Sequence, residues 1–430
     1  MTVTSEVAVE LARWATGYTP CEEDLRLAES ALQDTLAVGI AARHHKLVSL
    51  AATLPEEAAW AVACHVIDFD DLHLPSTTHI STICVPVSLA LDDGSRAYLA
   101  GAGVMARLGV TLGWSHYSAG WHATATAGAI GAAATASVAM GLDERRTAHA
   151  LALALPAAGG LQKSFGSDGK ALQIGFASSA GVRAAYLAAR GATADLRVID
   201  EWLPLVNAGS ASVDLTGSAV PSGLATKLYP CCYALQRPIG AMVEVARGAA
   251  GASARSGGSI EPGSVRRIVV RTPASAVTPL THARPSTGLE GKFSLEYALA
   301  AALLDEYVDF SSFSDPSVQR PHAQRLLRLV ALELSDEGAN LLSGQVEVEV
   351  HTDKGVASAA MRFPPGSPEN PPTAADLAAK LRACLKGTGL TRDDLSWETG
   401  SSVLRDQLPG PTPSSAAHAA GAHRQPIRSR

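Results

Sequence analysis

Residues 68–86 have the sequence DFDDLHLPSTTHISTICVP and lie between two apolar, alanine-rich stretches, EEAAWAVACHVI before them and VSLALDD after them. The segment contains three aspartates, two histidines and five Ser or Thr hydroxyls. Burying such groups without partners costs a few kcal/mol each. Asp, Ser, Thr and Pro also favour turns and helix starts. We therefore predict a polar loop that is held between packed helices and caps the following helix, an arrangement that suits an active site.

The aspartates and histidines of this loop also raise the question of a metal site. Asp70, Asp71, His73 and His79 are all residue types that ligate divalent ions. However, the spacing from His73 to His79 matches no compact helical metal motif, and no cysteine pair lies near it. We therefore predict no metal ligands. Capping and turn formation explain most of the Asp, Ser and Thr residues but not two histidines in one loop, and we expect His65 to be an ordinary core histidine.

The composition limits the kind of protein that this sequence can form. A chain of 430 residues is long enough for two domains and a large core. It is 47% hydrophobic but only 5% aromatic, which favours helices packed through small side chains. A net charge of −6 argues against a nucleic-acid partner. Six scattered cysteines without a C-x-x-C pair indicate reduced thiols in the cytoplasm.

No part of the sequence indicates a membrane partner. The first residues contain Glu6 and Glu10 and lack the basic start and apolar run of a secretory signal. The longest uncharged run, residues 115–142, consists mostly of Ala, Gly, Ser and Thr. It is too weakly hydrophobic to span a bilayer. We expect a soluble protein.

The periodicity of the chain predicts a mainly α fold with two domains. Helical patterns dominate up to residue 247, and we expect residues 195–226 to be irregular. VRRIVVRTP, from residue 265, has the alternation of a strand, as does RLLRLVALELSD, and GQVEVEVHTDKGVASAAMRF indicates a hairpin that turns at residues 353–355. The predicted divisions are a large helical domain, a smaller α+β domain, a return to the helical domain and a disordered tail, at residues 1–261, 262–395, 396–408 and 409–430 respectively.

Two familiar glycine patterns do not indicate a nucleotide site. GAGVMA, at residues 101–106, lies inside a helical pattern with no strand before it. GSDGK, at residues 166–170, is too short for a phosphate loop and is followed by Ala171 instead of Ser or Thr. The remaining candidates for chemistry are single acid/base or cationic residues beside turns or helix starts, where an anionic substrate binds well. They are His79, His122, Lys170, Lys227 and Tyr297.

Six segments in fixed order connect the chain to a known family. They are ALQDTLAVGIA, IDFDDLHLPSTTHIS, GWHATATAGAIGAAATAS, DGKALQIGFASSAGVRAAYLAARG, KLYPCCYALQRPI and GKFSLEYALAAALLD. In these segments, over about residues 5–400, the sequence resembles the MmgE/PrpD family. That family includes 2-methylcitrate dehydratase, cis-aconitate decarboxylase and iminodisuccinate epimerase.

The resemblance implies a fold and a set of site residues. The fold would be a large all-helical domain with a smaller α+β lid, usually as a homodimer, and the active site would lie in the cleft between the domains. The most similar members work on small di- or tricarboxylates without a metal or an organic cofactor. By motif position, the catalytic residues would be His79, His122, Lys170, Lys227 and Tyr297, and Asp71, Thr78, Cys232 and Gln236 would bind substrate.

The sequence also departs from the family pattern. His79 is followed by Ile80 and Ser81 where H-P-[GS] is usual, and Cys232 and Gln236 stand where the decarboxylases carry histidines. Another departure is GAGV at residues 101–104, where many members have G-Y-E-V. These differences argue against decarboxylation and indicate a different or bulkier substrate.

The predicted function is that of a cofactor-independent lyase, a dehydratase that acts on a small hydroxylated acid. The family reactions pass through an enolate-like carbanion, which fixed cations and hydrogen-bond donors must stabilise. Lys170 and Lys227 would bind carboxylates, His79 and His122 would transfer protons, and Tyr297 would reach the substrate from the lid. The alternatives are a decarboxylase of a cis-aconitate-like acid, an epimerase of an iminodisuccinate-like acid, and a family member that binds acids without turnover.

Overall fold

The structure is a computed structural model that describes residues 6–206, 208, 212–248, 260–305, 307–338 and 340–410. The predicted disordered tail lies outside the described residues from residue 411 onward. Among the described residues, no helix has the length and apolar character needed to cross a membrane.

α-Helices are the main secondary structure of the described chain up to residue 248. Their bounds are α1 (Val7–Gly17), α2 (Glu22–Ala41), α3 (Lys46–Ala51), α4 (Glu56–Val66), α5 (Ser81–Ala90), α6 (Ser95–Ser118), α7 (Ala123–Ala139), α8 (Glu144–Ala154), α9 (Gly169–Ala189), α10 (Val198–Leu205) and α11 (Gln236–Arg247). The helix α10 falls in residues that the sequence predicted to be irregular. Pro204 lies inside this helix, and its presence weakened the helical pattern.

Among the described residues after 248, the structure forms a four-stranded sheet and six further α-helices. The strands are β1 (Val265–Pro273), β2 (Val330–Ser335), β3 (Val346–Thr352) and β4 (Gly355–Met361), in the order β2-β1-β3-β4. The pair β1/β2 is parallel, and the pairs β1/β3 and β3/β4 are antiparallel. The helices are α12 (Gly288–Gly291), α13 (Leu295–Leu304), α14 (Asp315–Val318), α15 (Pro321–Leu326), α16 (Ala374–Cys384) and α17 (Gly400–Gln407).

The strand predictions were correct for β1 and for the hairpin of β3 and β4, and partly wrong for β2. Residues 325–329 were predicted as strand but belong to α15 and a following 3₁₀ turn. Pro321 at the first turn of α15 favours a helix here, because its fixed φ suits that position and its missing N–H needs no partner.

Close packing of helices α6 and α7 explains the glycine pattern at residues 101–106. A Cβ atom on Gly101 would lie 1.8 Å from the hydroxyl oxygen of Thr135 and 2.8 Å from the carbonyl oxygen of Gly131, both in α7. Only glycine permits this approach. The pattern therefore serves helix packing.

Two hydrophobic clusters form the core, and the mainly α fold with a small sheet is confirmed. One cluster combines α1 to α10 with residues after 383, including Cys384, Leu395 and Leu404. The other combines α11, α13 and the sheet, and it also contains Leu72 from the polar loop. Helix α11 therefore packs with the sheet, whereas residues 384–395 pack with the first helices. The predicted division at residue 261 stays a prediction.

Candidate active site

The polar loop predicted from the sequence spans residues 67–80, between α4 and α5. It is shorter than expected, because residues 81–86 already belong to α5. Ile80, at the N-cap position, provides no side-chain cap. The carboxylate of Asp71 replaces that cap: it accepts a hydrogen bond from the backbone N–H of Ser81 at 3.4 Å and another from the Ser81 hydroxyl. The loop therefore does cap the next helix, from a residue ten positions earlier.

The carboxylate of Asp68 forms ion pairs with two lysines. Its Oδ1 atom lies 2.5 Å from Nζ of Lys227 and 3.0 Å from Nζ of Lys170. Burial alone would raise the pKa of Asp68, but the two ammonium groups outweigh burial and hold the pKa well below its ordinary value. Asp68 also has a left-handed backbone with φ of 59°, which is uncommon for a residue with a side chain. Lys227 stabilises this backbone by donating to the Asp68 carbonyl at 3.0 Å.

Asp70 connects two histidines. Its Oδ2 atom lies 2.7 Å from Nδ1 of His65 and 3.1 Å from Nδ1 of His79. Burial would raise the pKa of Asp70, but the two imidazoles hold it well below its ordinary value. Burial also lowers the pKa of both histidines, that of His65 to about 4, so the rings are neutral near pH 7.

The hydrogen bonds of His79 determine its tautomer. Nδ1 of His79 lies 2.7 Å from the carbonyl oxygen of Asp71 and also faces the Asp70 carboxylate. Both neighbours only accept hydrogen bonds, so Nδ1 carries the proton. In the neutral ring, Nε2 then has the free lone pair. His79 is therefore prepared to accept a proton on Nε2, with Asp70 next to the imidazolium that forms.

The residues of the polar loop meet the starts of α7 and α9 at a small cavity of about 40 Å³. His122 is the N-cap residue of α7, and its backbone N–H donates to the carbonyl of Gly160 at 3.0 Å. Lys170 lies in the first turn of α9. The cavity is lined by Asp68, Leu72, Thr77, His79, Tyr117, His122, Thr124, Phe165, Lys170, Cys232, Tyr233, Phe293 and Leu341. Most of the apolar wall residues belong to the second hydrophobic cluster, whereas His122 and Lys170 come from the starts of helices whose other residues pack in the first.

Several buried polar atoms in or behind the cavity wall lack a hydrogen-bond partner within the described part of the chain. Oδ2 of Asp68 and Nδ1 of His122 belong to wall residues, and Oδ1 of Asp70 and Nε2 of His65 lie behind His79. Buried polar groups in folded proteins are nearly always paired, so a group of unpaired ones requires an explanation. Unpaired acceptors and donors around a charged cavity are typical of a site that binds a polar ligand.

Comparison with known proteins agrees with this geometry. Residues 49–204 match the MmgE/PrpD N-terminal domain, and residues 229–399 match the MmgE/PrpD C-terminal domain. The chain belongs to the MmgE/PrpD family. The resemblance drawn from the six sequence segments is therefore confirmed.

Three relatives of this MmgE/PrpD protein carry the same name, cis-aconitate decarboxylase. The human protein is 26% identical over 80% of this chain and 74% of its own length. The mouse protein is 27% identical over 63% of this chain and 59% of its own length. The protein from Aspergillus terreus is 25% identical over 80% of this chain and 76% of its own length. These relatives support a lyase function at the level of the family.

The structure brings some of the predicted site residues of this MmgE/PrpD protein to the cavity. His79, His122, Lys170 and Cys232 line it, and Lys227 reaches it through Asp68. Burial raises the pKa of the Cys232 thiol to about 11, so this side chain is neutral near pH 7. A neutral thiol is a weak hydrogen-bond donor and does not shuttle protons at that pH.

Four predicted site residues use their side chains elsewhere. The hydroxyl of Tyr297 donates to the carbonyl of Ser312 inside the second hydrophobic cluster. The carboxylate of Asp71 binds Ser81, the hydroxyl of Thr78 lies 2.5 Å from that of Ser76, and the amide of Gln236 bonds the backbone of residues 228 and 229. Their predicted roles stay predictions, and for Tyr297 the hydroxyl would have to leave Ser312.

Sequence reasoning missed four charged or titratable residues of the site. These are His65, Asp68, Asp70 and Lys292. The ammonium group of Lys292 donates to the carbonyl of Ile67, beside Asp68, and burial lowers its pKa to about 8. The sequence signals were present: Asp68 and Asp70 belong to the DFDD motif, His65 precedes it, and Lys292 belongs to the GKFSLEY segment.

Three possible metal ligands lie together among the described residues, and they are only partly the four that the sequence suggested. The ligand atoms of His65, Asp70 and His79 all lie within 4.8 Å of one another. His73 is not among them, because Ser76 and the carbonyl of Pro221 occupy its ring nitrogens. Nδ1 of His79 faces the Asp71 carbonyl, which requires an N–H, so its lone pair does not point toward an ion. The trio fits a hydrogen-bonded relay better than a metal site.

We expect treatment with EDTA, followed by desalting, to leave the catalytic activity unchanged. A relay of hydrogen bonds needs no ion, and the histidine nitrogens that face Asp70 are protonated. Activity is measured before and after the treatment. An activity that disappears on chelation and returns with one divalent ion would contradict this prediction and would make His65, Asp70 and His79 ligands.

Asp71 gives the stability of the protein a specific pH dependence. Burial and the nearby charges of Asp34 and Asp70 raise the pKa of Asp71 from 3.8 to about 7, although Ser81 opposes the shift. Because the folded state binds this proton more tightly, the stabilisation is complete below pH 3.8 and is lost as the pH rises to about 7. We expect Asp71→Asn to remove this part of the dependence of Tm on pH. Equal slopes in both proteins between these pH values would contradict the assignment.

Proposed function

We propose that this protein is a cofactor-independent lyase that removes water from a hydroxylated di- or tricarboxylate. The observation that carries the proposal is the placement of two neutral histidines, His79 and His122, on one small cavity with the Lys170 cation. Elimination of water needs a base for the C–H proton and an acid for the leaving hydroxyl. A cation beside the cavity stabilises the enolate-like charge between these two events.

His79 is the better candidate for the base. Its Nε2 lone pair is available, and the Asp70 carboxylate next to Nδ1 stabilises the imidazolium that forms. In the reaction, the C–H electrons first form the enolate-like carbanion and then become the new C=C bond as the C–O bond breaks. The leaving hydroxide then takes a proton and departs as water.

His122 is the candidate for the proton donor. Burial, together with His65 and Lys170, holds its pKa well below the ordinary value in the structure. A bound carboxylate would reverse this effect, because an opposite charge within a few Å favours the imidazolium. The substrate would thus help to protonate the group that releases its hydroxyl.

Lys170 and Lys227 contribute differently to carboxylate binding. Lys170 faces the cavity, and its ammonium group also lies 5.4 Å from the centre of the Phe165 ring. Lys227 is fully buried and holds Asp68. Burial would lower the pKa of Lys227, but Asp68 outweighs burial and raises it. We therefore assign direct contact with the substrate to Lys170 and positioning to Lys227.

The second candidate is decarboxylation of a cis-aconitate-like acid, which the names of the three relatives favour. The residues at positions 232 and 236 distinguish dehydration from decarboxylation. The resemblance leads one to expect histidines at positions 232 and 236, but the chain has a neutral cysteine in the cavity wall and a glutamine bonded to the backbone. Neither side chain transfers a proton at neutral pH. Epimerisation and binding without turnover are the alternatives. We also propose a homodimer, which the resemblance implies, and a cytoplasmic location, which the scattered cysteines favour.

A panel of citrate-type and hydroxy-dicarboxylate substrates tests the proposed function. Dehydration produces an α,β-unsaturated acid, which the ultraviolet absorbance detects, whereas decarboxylation releases CO₂. Turnover of a hydroxylated acid without CO₂ would support the proposal. Tight binding without any product would make the protein a carboxylate-binding member of the family.

We expect no itaconate from cis-aconitate, and we expect Cys232→Ser to change the rate of the protein's own reaction by less than about twofold. The thiol is neutral, and serine is similar in shape and is also neutral near pH 7. NMR of the reaction mixture detects itaconate directly. Itaconate at a rate comparable with the dehydration rate would contradict both the role given to this position and the preference for dehydration.

A further inference from the structure

A larger cavity lies beside the catalytic cavity and shares wall residues with it. This outer cleft has a volume of about 390 Å³. Leu72, Thr77 and Leu341 line both spaces, so the two spaces adjoin at these side chains. The other apolar walls of the outer cleft are Leu74, Pro75, Trp114, Leu342, Phe363 and Pro368.

The charged residues in the wall of the outer cleft are not arranged to bind a carboxylate. Arg362 and Glu369 are the charged residues in its wall, one of each sign. The guanidinium of Arg362 already donates to the carbonyls of Leu342 and Gly344, the latter at 2.6 Å, and lies over the Phe363 ring. The cations that suit a carboxylate lie at the catalytic cavity instead. The outer cleft therefore suits an apolar group.

The size of the catalytic cavity requires the substrate to extend beyond it. A water molecule needs about 10–15 Å³ of such space, so about 40 Å³ accommodates only a few heavy atoms. The reacting end of an acid can occupy this space, but a long apolar substituent cannot. The outer cleft lies next to that space, past Leu72 and Leu341.

A break in α6 forms part of the wall between the two spaces. Gly113 has φ of 67°, which glycine adopts without strain, and the last turn of the helix changes direction there. As a result, Trp114 lines the outer cleft while Tyr117 lines the catalytic cavity, with their rings 5.0 Å apart. One short segment thus shapes both spaces.

We propose that the outer cleft binds an apolar substituent of the substrate, so that the preferred substrates are carboxylic acids carrying an alkyl or aryl group. This inference rests on the proposed function for the identity of the reacting end. In this arrangement, the reacting end of the substrate lies at Lys170 and His79, and its apolar substituent packs against Trp114 and Phe363.

A series of 2-alkylcitrates with methyl, butyl and hexyl groups tests the inference on the full-length protein. Burial of each added methylene should raise kcat/KM roughly threefold until the cleft is filled. Phe363 is 40% exposed, so Phe363→Ser should fold normally. This variant should reduce the gain from the methyl to the hexyl acid at least about threefold. The matched control is Phe176→Ser, an exposed phenylalanine of α9 that should keep the full gain.

Calorimetry with unreactive 2-alkylsuccinates separates this inference from the proposed function. An affinity that rises with chain length and falls in Phe363→Ser supports binding of the apolar substituent in the outer cleft. This holds even if no acid is turned over and the dehydratase proposal fails. If neither turnover nor affinity depends on chain length, the proposal that the outer cleft binds an apolar substituent is wrong, even if the compact acids are dehydrated. The proposal is also wrong if Phe176→Ser abolishes the gain with chain length while Phe363→Ser retains it.

Discussion

Replacing Lys170 with methionine will lower kcat/KM by at least about a hundredfold, the usual scale for the loss of one group that stabilises transition-state charge. Methionine keeps the length and apolar stem of the side chain but removes the cation that faces the cavity. The fold should survive, because Asp68 keeps Lys227 as its partner at 2.5 Å. Steady-state kinetics on the substrate identified by the panel, together with Tm, measures the effect.

Lys163→Met is the matched control for this variant. Lys163 is exposed, lies seven residues earlier, and does not line the cavity. The same chemical change there should leave kcat/KM within about twofold, since surface substitutions rarely have large effects. Near-normal kinetics in Lys170→Met, or equal losses in both variants, would show that the cation at position 170 has no special part in the reaction.

The sequence was a good guide to where the site lies but not to which side chains face it. DFDD and its neighbouring histidines identified the correct loop. The choice among the three aspartates depends on contacts that no local pattern reveals. Asp68 turns toward Lys227, 159 residues away, through a left-handed backbone, whereas Asp71 turns toward Ser81.

The same limit explains the positions of Lys292 and Tyr297. Both belong to the segment GKFSLEY, and only Tyr297 was expected in the site. Lys292 reaches Ile67 across 225 residues of sequence, while the hydroxyl of Tyr297 finds the carbonyl of Ser312 within its own hydrophobic cluster. Tertiary packing therefore determines where the Lys292 and Tyr297 side chains point. Helical periodicity, by contrast, is local, which is why most of the helices were predictable.

Replacing Asp70 with asparagine should lower kcat by at least about a thousandfold, approaching the roughly ten-thousandfold loss found when a carboxylate that supports a catalytic imidazole is removed. The amide is nearly the same size and can still accept from both histidines. It lacks the negative charge that stabilises the His79 imidazolium. Burial already lowers the pKa of His79, and Asp70 opposes that shift. Without Asp70 the pKa falls further, so the acidic limb of the kcat/KM profile should move to lower pH.

The shift of the pH profile distinguishes catalysis from structure. A merely structural role for Asp70 would lower Tm or the amount of active protein, but it would leave the acidic limb in place. Asp195→Asn, at an exposed carboxylate whose partner is Arg197, is the control and should change neither kcat nor the limb. His79→Gln should be as slow as Asp70→Asn or slower, and combining the two should add little, because residues that act as a unit are not additive. Full additivity, or a limb that moves to higher pH, would contradict the assignment of His79 as the base.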